Sequence, residues 1–194
     1  AHQRKGDAQR NIAIMDLGTR VVRLLTHESD PEGFWSPVAW SSDGSTLIAN
    51  REKTGLGGDA AIWRIDVPSG KATPITAAKP GSRNLAAGIT ADGRQVAVTS
   101  NFGSAQLRAG IYDIESKSYR WLAPTPWEQW AVTMSPDRQS LLVKTWENGR
   151  VELSVVDIAT HSERRLKLPP GVNGGNLSWG TTPGMEVFSH DSRS

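Results

Sequence analysis

Two motifs recur along the chain with one shared period of about 45 to 50 residues, and this periodicity constrains the fold more than any other feature. The first motif is an apolar anchor, a Ser or Thr, any residue, then Asp and Gly or a substitute, followed by an apolar run. Its four anchors, separated by 49, 45 and 45 residues, are Trp40, Ile89, Met134 and Trp179. The fourth copy is the most divergent, since Gly180 follows its anchor.

The second motif lies out of phase with the first and consists of two apolar residues, an Asp and a Ser or Thr three positions later. Its aspartates, separated by 50, 47 and 44 residues, are Asp16, Asp66, Asp113 and Asp157. Each is followed by a further short stretch with β-strand character. Two independent markers with one period indicate a repeat architecture.

Each repeat contains four short β-type runs, here called A to D, and helical periodicity is absent. The A–B connection reads Ser/Thr-x-Asp-Gly, in which Asp accepts nearby backbone N–H groups and Gly supplies positive φ. The C–D connection, Asp-x-x-Ser/Thr, closes a second tight hairpin with a carboxylate and a hydroxyl. Four-stranded units at this period predict an all-β fold, a β-propeller of four-stranded antiparallel blades.

Strand counting gives three complete blades, at residues 37–76, 86–122 and 130–168, within one propeller or propeller portion at 1–194. A C–D pair at 11–25 precedes them and an A–B pair at 176–189 follows, so the two pairs sum to a fourth, split blade. Propellers commonly close in this way because closure removes exposed strand edges. Three arrangements follow: a self-closed four-bladed ring, an eight-bladed ring from two copies, or a portion of a larger propeller.

These repeats resemble the WD40-like propeller repeats of TolB-type proteins and of the prolyl oligopeptidase family of serine peptidases. The resemblance runs from about residue 11 to 190 and is most marked between Glu147 and Val172. It implies a propeller of six to eight blades, which favours the larger-propeller arrangement. The turns depart from the pattern at four basic residues, Arg20, Lys117, Arg138 and His161.

The resemblance to the peptidases implies a non-catalytic propeller that gates or binds peptide substrate beside an α/β-hydrolase domain absent from this chain. The alternative is a stand-alone TolB-like propeller that serves as a protein-interaction scaffold. A hydrolase domain would carry its nucleophile in a Gly-x-Ser-x-Gly elbow. The nearest string here surrounds Ser178, lacks the first Gly and falls in an A strand, so we expect no catalytic residues in this chain.

Other chemistries find little support in the sequence. The histidines lack metal-ligand spacing, and the repeated aspartates are better explained by turn closure, so no metal site is expected. The glycines at 55–58 lie between two strands with no helix after them, so they do not form a phosphate-binding loop, and no cofactor is predicted. The absence of cysteine excludes disulfides and thiol catalysis and leaves the redox compartment open.

Charge and hydropathy narrow the range of partners. The 22 basic and 20 acidic residues are scattered, and no basic stripe with interleaved aromatics appears, so nucleic acid is not an expected partner. No run of eighteen apolar residues exists, so a transmembrane helix and a membrane partner are not expected. The expected partner is a peptide or protein, with an adjoining hydrolase domain or a second copy of the chain as particular cases.

If the strands alternate in direction, all D–A and B–C loops emerge at one end of the blades and the tight turns at the other. The predicted binding face is this loop end, because it combines tryptophans with charged residues. Its candidate residues are Trp35, Arg51, Trp127, Glu128, Trp146 and Glu147. The tryptophans at the repeat anchors, Trp40 and Trp179, are instead expected to pack between blades.

Overall fold

The computed structural model describes residues 10–54, 59–169, 172–180 and 186–191. All regular elements in those ranges are β-strands. The described residues contain no helix that is long and apolar enough to cross a membrane. A first pair comprises β1 (Ala13–Met15) and β2 (Val22–Leu24). A last pair comprises β15 (Val172–Trp179) and β16 (Glu186–Asp191).

Between these pairs lie three four-stranded antiparallel sheets, each a blade of the propeller fold. The first complete blade comprises β3 (Gly33–Trp40), β4 (Thr46–Lys53), β5 (Ala60–Asp66) and β6 (Ala72–Pro74). The second comprises β7 (Asn84–Ile89), β8 (Gln95–Ser100), β9 (Arg108–Asp113) and β10 (Ser118–Trp121). The third comprises β11 (Glu128–Met134), β12 (Ser140–Glu147), β13 (Arg150–Asp157) and β14 (Glu163–Arg165). The all-β prediction of four-stranded blades is therefore confirmed.

The chain divides into two compact units, residues 1–86 and 87–194. The first and last strand pairs each form a two-stranded sheet of their own, so their union in one split blade stays a prediction. In unit 1 the core joins the first pair to the first complete blade through Ile12, Leu25, Leu47 and Ile65. In unit 2 the core joins the second and third complete blades, and its members are Ala97, Ala109, Ile111, Met134, Leu141, Val143, Val156 and Ile158.

The B strands β4, β8 and β12 each contain a run of at least three consecutive buried residues. Consecutive residues such as Val96, Ala97 and Val98 are fully buried, although they point to opposite faces of their sheet. Both faces of a B strand are therefore covered, which explains the continuous apolar runs after each turn in the sequence.

The repeated aspartates close turns, as the sequence predicted. In the first A–B turn the Asp43 carboxylate accepts hydrogen bonds from Ser41 Oγ at 2.6 Å and Ser45 N at 3.0 Å, while Gly44 adopts φ 71°. In the C–D turns the Asp carboxylate accepts the backbone N–H of the Ser or Thr three residues later, as Asp157 does from Thr160 at 2.7 Å. These carboxylates are therefore committed to turn closure.

The strands extend further toward the loop end than the sequence indicated. β3 begins at Gly33 and pairs with β4 as far as Lys53, so Trp35 lies within a sheet opposite Arg51 rather than in a loop. Trp146 likewise lies within β12. These polar and aromatic residues have little strand character in the sequence, but they join the sheet because a neighbouring strand continues beside them.

The two anchor tryptophans differ. Trp40 is 44% exposed, so its packing between blades stays a prediction. Trp179 is half-buried, and its Nε1 donates to the Thr133 carbonyl at 3.3 Å, which fits packing against the third complete blade. The glycines at 55–58 and the fourth A–B turn at 181–184 lie outside the described residues.

Candidate functional site

A cleft opens at the loop end of unit 2, between the second and third complete blades. It encloses about 280 Å³, and its lining residues are Ala123, Pro124, Thr125, Pro126, Trp127, Gln129, Thr145, Glu147, Glu163 and Arg165. The connection after β10 supplies the two prolines and Trp127, while the start of β11 and the ends of β12 and β14 supply the polar side chains. We call this site the loop cleft.

The wall formed by the third blade depends on a tight hairpin. β12 and β13 are joined by Asn148 and Gly149, which adopt φ values of 49° and 76°. Two successive positive φ values are characteristic of a type I′ turn, whose twist matches that of the paired strands. The turn holds Glu147 opposite Arg150 in register. It therefore fixes the Glu147 backbone at the mouth of the loop cleft.

The lining of the loop cleft carries more negative than positive side chains. Glu147 Oε2 accepts a hydrogen bond from Arg165 Nη2 at 2.6 Å, and both side chains remain accessible to solvent. Glu163 contributes a second carboxylate to the same lining, so two acids face one base. Such a lining attracts a cationic group.

The other wall is anchored to neighbouring loops. The Gln129 backbone N–H donates to the Leu107 carbonyl at 3.0 Å, and Gln106 Nε2 donates to the Pro126 carbonyl at 3.0 Å. These bonds connect the loop that precedes β9 with β11 and with the loop before β11. The cleft wall is consequently supported from behind by the second complete blade.

Four of the predicted site residues lie near one another at this end of the third complete blade, but on two faces. Trp127 and Glu147 line the loop cleft. Glu128 and Trp146 are cross-strand partners, and strand alternation directs them to the opposite face of the sheet from Gln129 and Glu147. Trp146 is 46% exposed there, and Lys144 Nζ lies 5.3 Å from its ring centre.

Trp35 does not fit an exposed binding face. Its side chain is buried in the core of unit 1 and meets Trp63 edge to face, with ring centres 5.2 Å apart. The reason is that β3 starts before Trp35, so the ladder directs this ring toward apolar neighbours. Its prediction as a contact residue is corrected to a packing role.

Arg51 also has a local structural role. Its Nε and Nη2 donate to the two oxygens of Glu28 at 2.8 and 2.9 Å. Burial by itself raises the pKa of Glu28. The hydrogen bond from Arg51 and the backbone N–H donors lower the pKa by more than burial raises it, so the pKa lies below its ordinary value. The Glu28 hydrogen bonds likewise raise the pKa of Arg51. This pair secures the loop before β3 to the end of β4.

A wider depression of about 480 Å³ lies at the tight-turn end of unit 2. Asp92 and Asp157 line it, but both carboxylates already accept the hydrogen bonds that close their turns. The loop cleft is smaller and presents side chains that are not committed to turn closure. For this reason we take the loop cleft as the candidate site.

No catalytic arrangement stands out in the described ranges. Ser178 lies within β15, and its Oγ donates to the carbonyl of the next residue at 3.3 Å. His161 occupies a turn with φ 60°, the structural position expected from the repeat. The described residues contain no group of three His, Cys, Asp or Glu side chains that could hold a metal ion.

Of the residues that line the loop cleft, sequence reasoning identified only Trp127 and Glu147, and the polar residues it missed include Gln129, Glu163 and Arg165. Gln129 lies on β11, whereas Glu163 and Arg165 lie on β14, so the three residues come together only when the third complete blade folds. One available signal was the Asn148-Gly149 pair, which predicts a two-residue hairpin and therefore the position of Glu147.

The all-β blades and their repeated turns define a β-propeller fold. No family model and no curated protein sequence matches the chain. Solved structures do match, and TolB from Acinetobacter baumannii superposes with a TM-score of 0.60 at 17% identity over 84% of this chain and 39% of its own.

Enzymes share the same fold. Oligopeptidase B from Trypanosoma brucei gives a TM-score of 0.61 at 12% identity over 78% of this chain and 23% of its own. Oligogalacturonate lyase from Vibrio parahaemolyticus gives 0.63 at 12% identity over 88% of this chain and 50% of its own. The chain thus spans less than two thirds of each of these proteins. At such identities the similarity shows the fold, and function must be argued from the site.

Proposed function

We propose that this chain is a non-catalytic β-propeller portion that binds a peptide segment in the loop cleft. The observation that carries the proposal is the lining of the cleft, in which Trp127 and two prolines lie beside polar and charged side chains. An aromatic ring beside polar groups is typical of peptide and protein contacts.

The size of the loop cleft supports a peptide rather than an enclosed cofactor. Its volume of about 280 Å³ lies slightly below the range of about 300 to 1,000 Å³ that is common for small-molecule pockets. Such a volume accommodates one or two side chains of an extended segment. The excess carboxylate favours a segment with a lysine or arginine.

The resemblance to oligopeptidase B supports a more specific version of the proposal. This chain corresponds to 23% of that peptidase, so a propeller of this kind occurs within a larger hydrolytic enzyme. Under this version, the cleft binds peptide substrate or gates its access to an adjoining hydrolase domain. The TolB similarity favours the alternative, a scaffold for protein partners.

The binding test uses an acetylated and amidated hexapeptide, Ala-Lys-Ala-Pro-Ala-Ala, titrated by isothermal calorimetry. We expect Trp127→Ala to weaken binding about tenfold, as the loss of a central aromatic contact does. Glu163→Gln is expected to weaken it about fivefold, the upper range for an exposed charge pair. Glu115→Gln removes a carboxylate from a C–D turn of the same unit and serves as the matched control.

A second peptide has glutamine in place of lysine. It should bind the unchanged protein more weakly than the lysine peptide does, whereas the Glu163→Gln variant should bind the two peptides with equal affinity. Two results would contradict the proposal. One is equal affinity of the unchanged protein for both peptides, and the other is a Trp127→Ala variant that binds the lysine peptide as tightly as the unchanged protein does. The coding sequence that flanks this chain separates the two versions. A downstream Gly-x-Ser-x-Gly followed by Asp and His supports the peptidase version, and its absence supports the scaffold.

A further inference from the structure

The second complete blade carries a cluster of aromatic rings outside the loop cleft. The Tyr119 ring stacks with both Phe102 and Trp121, with ring centres 4.8 Å apart in each pair and interplanar angles of 14° and 11°. Tyr112 meets Tyr119 edge to face at 4.7 Å. We call Phe102, Tyr119 and Trp121 the aromatic platform.

The local sequence builds this platform. Tyr119 and Trp121 are two residues apart on β10, so both rings emerge on the same face of the sheet. Trp121 pairs with Gly110 across the sheet, and a Cβ at Gly110 would lie 2.9 Å from the Trp121 ring. Glycine is therefore required for the indole to lie against β9.

The platform is accessible at its outer member. Phe102 is 60% exposed, an unusual position for a phenylalanine that already stacks on another ring. Burial raises the pKa of Tyr119 to about 12, so its phenol remains neutral at any physiological pH. The exposed ring of the platform, that of Phe102, is uncharged and apolar.

A guanidinium group adjoins the apolar rings. The Arg108 Cζ lies 4.1 Å from the Trp121 ring centre, and Nη2 donates to the Phe102 carbonyl at 2.8 Å. The Arg108 Nε is buried without a hydrogen-bond acceptor. Within the described ranges, Arg108 forms no ion pair with a carboxylate. Arg108 is partly exposed, so the accessible part of its guanidinium can pair with an external anion.

We propose that the aromatic platform and Arg108 form a second binding surface, for a peptide segment that carries an aromatic side chain next to a carboxylate. The ligand ring adds to the stack at Phe102, and the carboxylate pairs with the guanidinium. The surface shares no residue with the loop cleft and selects the opposite charge. The proposal therefore stands independently of the function assigned to that cleft.

The test titrates ¹⁵N-labelled protein with three acetylated, amidated hexapeptides and follows the Trp121 indole and Arg108 Nε–H signals by NMR. The probe is Gly-Gly-Trp-Glu-Gly-Gly, and the comparison peptides replace Glu with Gln or Trp with Leu. We expect the Trp-Glu peptide to shift both signals and to bind about tenfold more tightly than either comparison peptide.

Two variants assign the interaction to its residues. Phe102→Ala should weaken binding of the Trp-Glu peptide about tenfold. Arg108→Gln should abolish the preference of the protein for the peptide with Glu over the peptide with Gln. Leu17→Ala, which truncates an exposed side chain in unit 1, is the matched control and should leave binding unchanged. Trp127→Ala should also leave it unchanged, because Trp127 belongs to the loop cleft.

Three results would overturn the proposal: no shift of the Arg108 signal, equal affinity for the three peptides, or unaltered binding by Phe102→Ala. If the rings only secure their loop, Phe102→Ala lowers the melting temperature while none of the peptides binds. Because Phe102 is largely exposed, the variant is expected to fold, and its NMR spectrum verifies this directly.

Discussion

Five non-glycine residues of the described chain adopt positive φ, and four of them are basic: Arg20, Lys117, Arg138 and His161. Each occupies a turn position at which another repeat has glycine, such as Gly44, Gly70 or Gly93. An L-residue in this conformation costs roughly 1 to 2 kcal/mol because its Cβ crowds the backbone. The repeat geometry is therefore retained even where the sequence does not favour it.

An exchange of residues between two C–D turns tests this cost. We expect Lys117→Gly to raise the free energy of unfolding by about 0.5 kcal/mol, since relief of strain exceeds the added freedom of the unfolded chain. Gly70→Lys should lower it by about 1 kcal/mol. Thermal and urea unfolding provide the measurement.

Ser118→Gly is the matched control for this exchange, because Ser118 lies in β10 beside Lys117 with negative φ. It should destabilise the protein by about 0.5 to 1 kcal/mol through unfolded-state entropy alone. Stabilisation by Ser118→Gly, or destabilisation by Lys117→Gly, would contradict the strain argument.

Ser178 is the residue whose sequence context comes nearest to a nucleophile. Its Oγ hydrogen-bonds to the adjacent carbonyl, which offers no general base for its activation. We expect purified protein to hydrolyse aminoacyl and peptidyl esters no faster than buffer does. Turnover that disappears in Ser178→Ala would show that this expectation is wrong.

At the scale of elements, the turns link the fold to pH. The Asp43 carboxylate has its pKa lowered from 3.8 to about 2, chiefly by the hydrogen bond from Ser41. Hydrogen bonds from turn hydroxyl and amide groups lower the pKa of six further aspartates: Asp16, Asp66, Asp92, Asp113, Asp137 and Asp157. Seven hairpins thus depend on an ionised carboxylate.

These shifts predict acid destabilisation with a defined sign. Because the folded pKa lies below the unfolded one, the unfolded state binds more protons, and the stabilisation is present above about pH 4. It is lost as the pH falls toward about 2, through the folded pKa of Asp43. Urea midpoints measured between these limits should decline steadily. Asp43→Asn should show a shallower decline, and an unchanged slope would contradict the assignment.

A second device at this scale is the ion pair that secures the loop before β3. The Glu28 side chain is only 3% exposed, and a Cβ at Gly33 would lie 2.6 Å from its carboxyl carbon. Gly33 is thus required for Glu28 to reach Arg51. The same arrangement removes Arg51 from the set of freely available surface charges.

We expect Arg51→Ala to lower the free energy of unfolding by about 1 to 3 kcal/mol, because it leaves the Glu28 carboxylate buried without its main partner. Lys53→Ala, which breaks the more exposed pair with Asp30, should cost less than about 1 kcal/mol. Urea unfolding compares the two variants. If Arg51→Ala is as stable as Lys53→Ala, the ion pair has no special structural role.

At the scale of the whole molecule, the sequence predicted those features that depend on residues close to one another in the chain. The blade count and the turn aspartates followed from the period and from residues three or four positions apart. Contacts between distant residues were not predictable, as with Arg51 and Glu28 or Arg108 and Trp121. Trp35 illustrates the same limit, because its burial depends on how far β4 continues beside β3.

The first and last strand pairs are the elements whose closure distinguishes the possible arrangements. Each pair is a two-stranded sheet, and isolated hairpins are only marginally stable in water. If the chain is a portion of a larger propeller, we expect a monomer near 21 kDa in which amides of both terminal pairs exchange far faster than those of β4, β8 and β12. Analytical ultracentrifugation and hydrogen exchange test this together. A stable dimer with protected terminal strands would instead indicate an eight-bladed ring, and a monomer with protected terminal strands a self-closed four-bladed one.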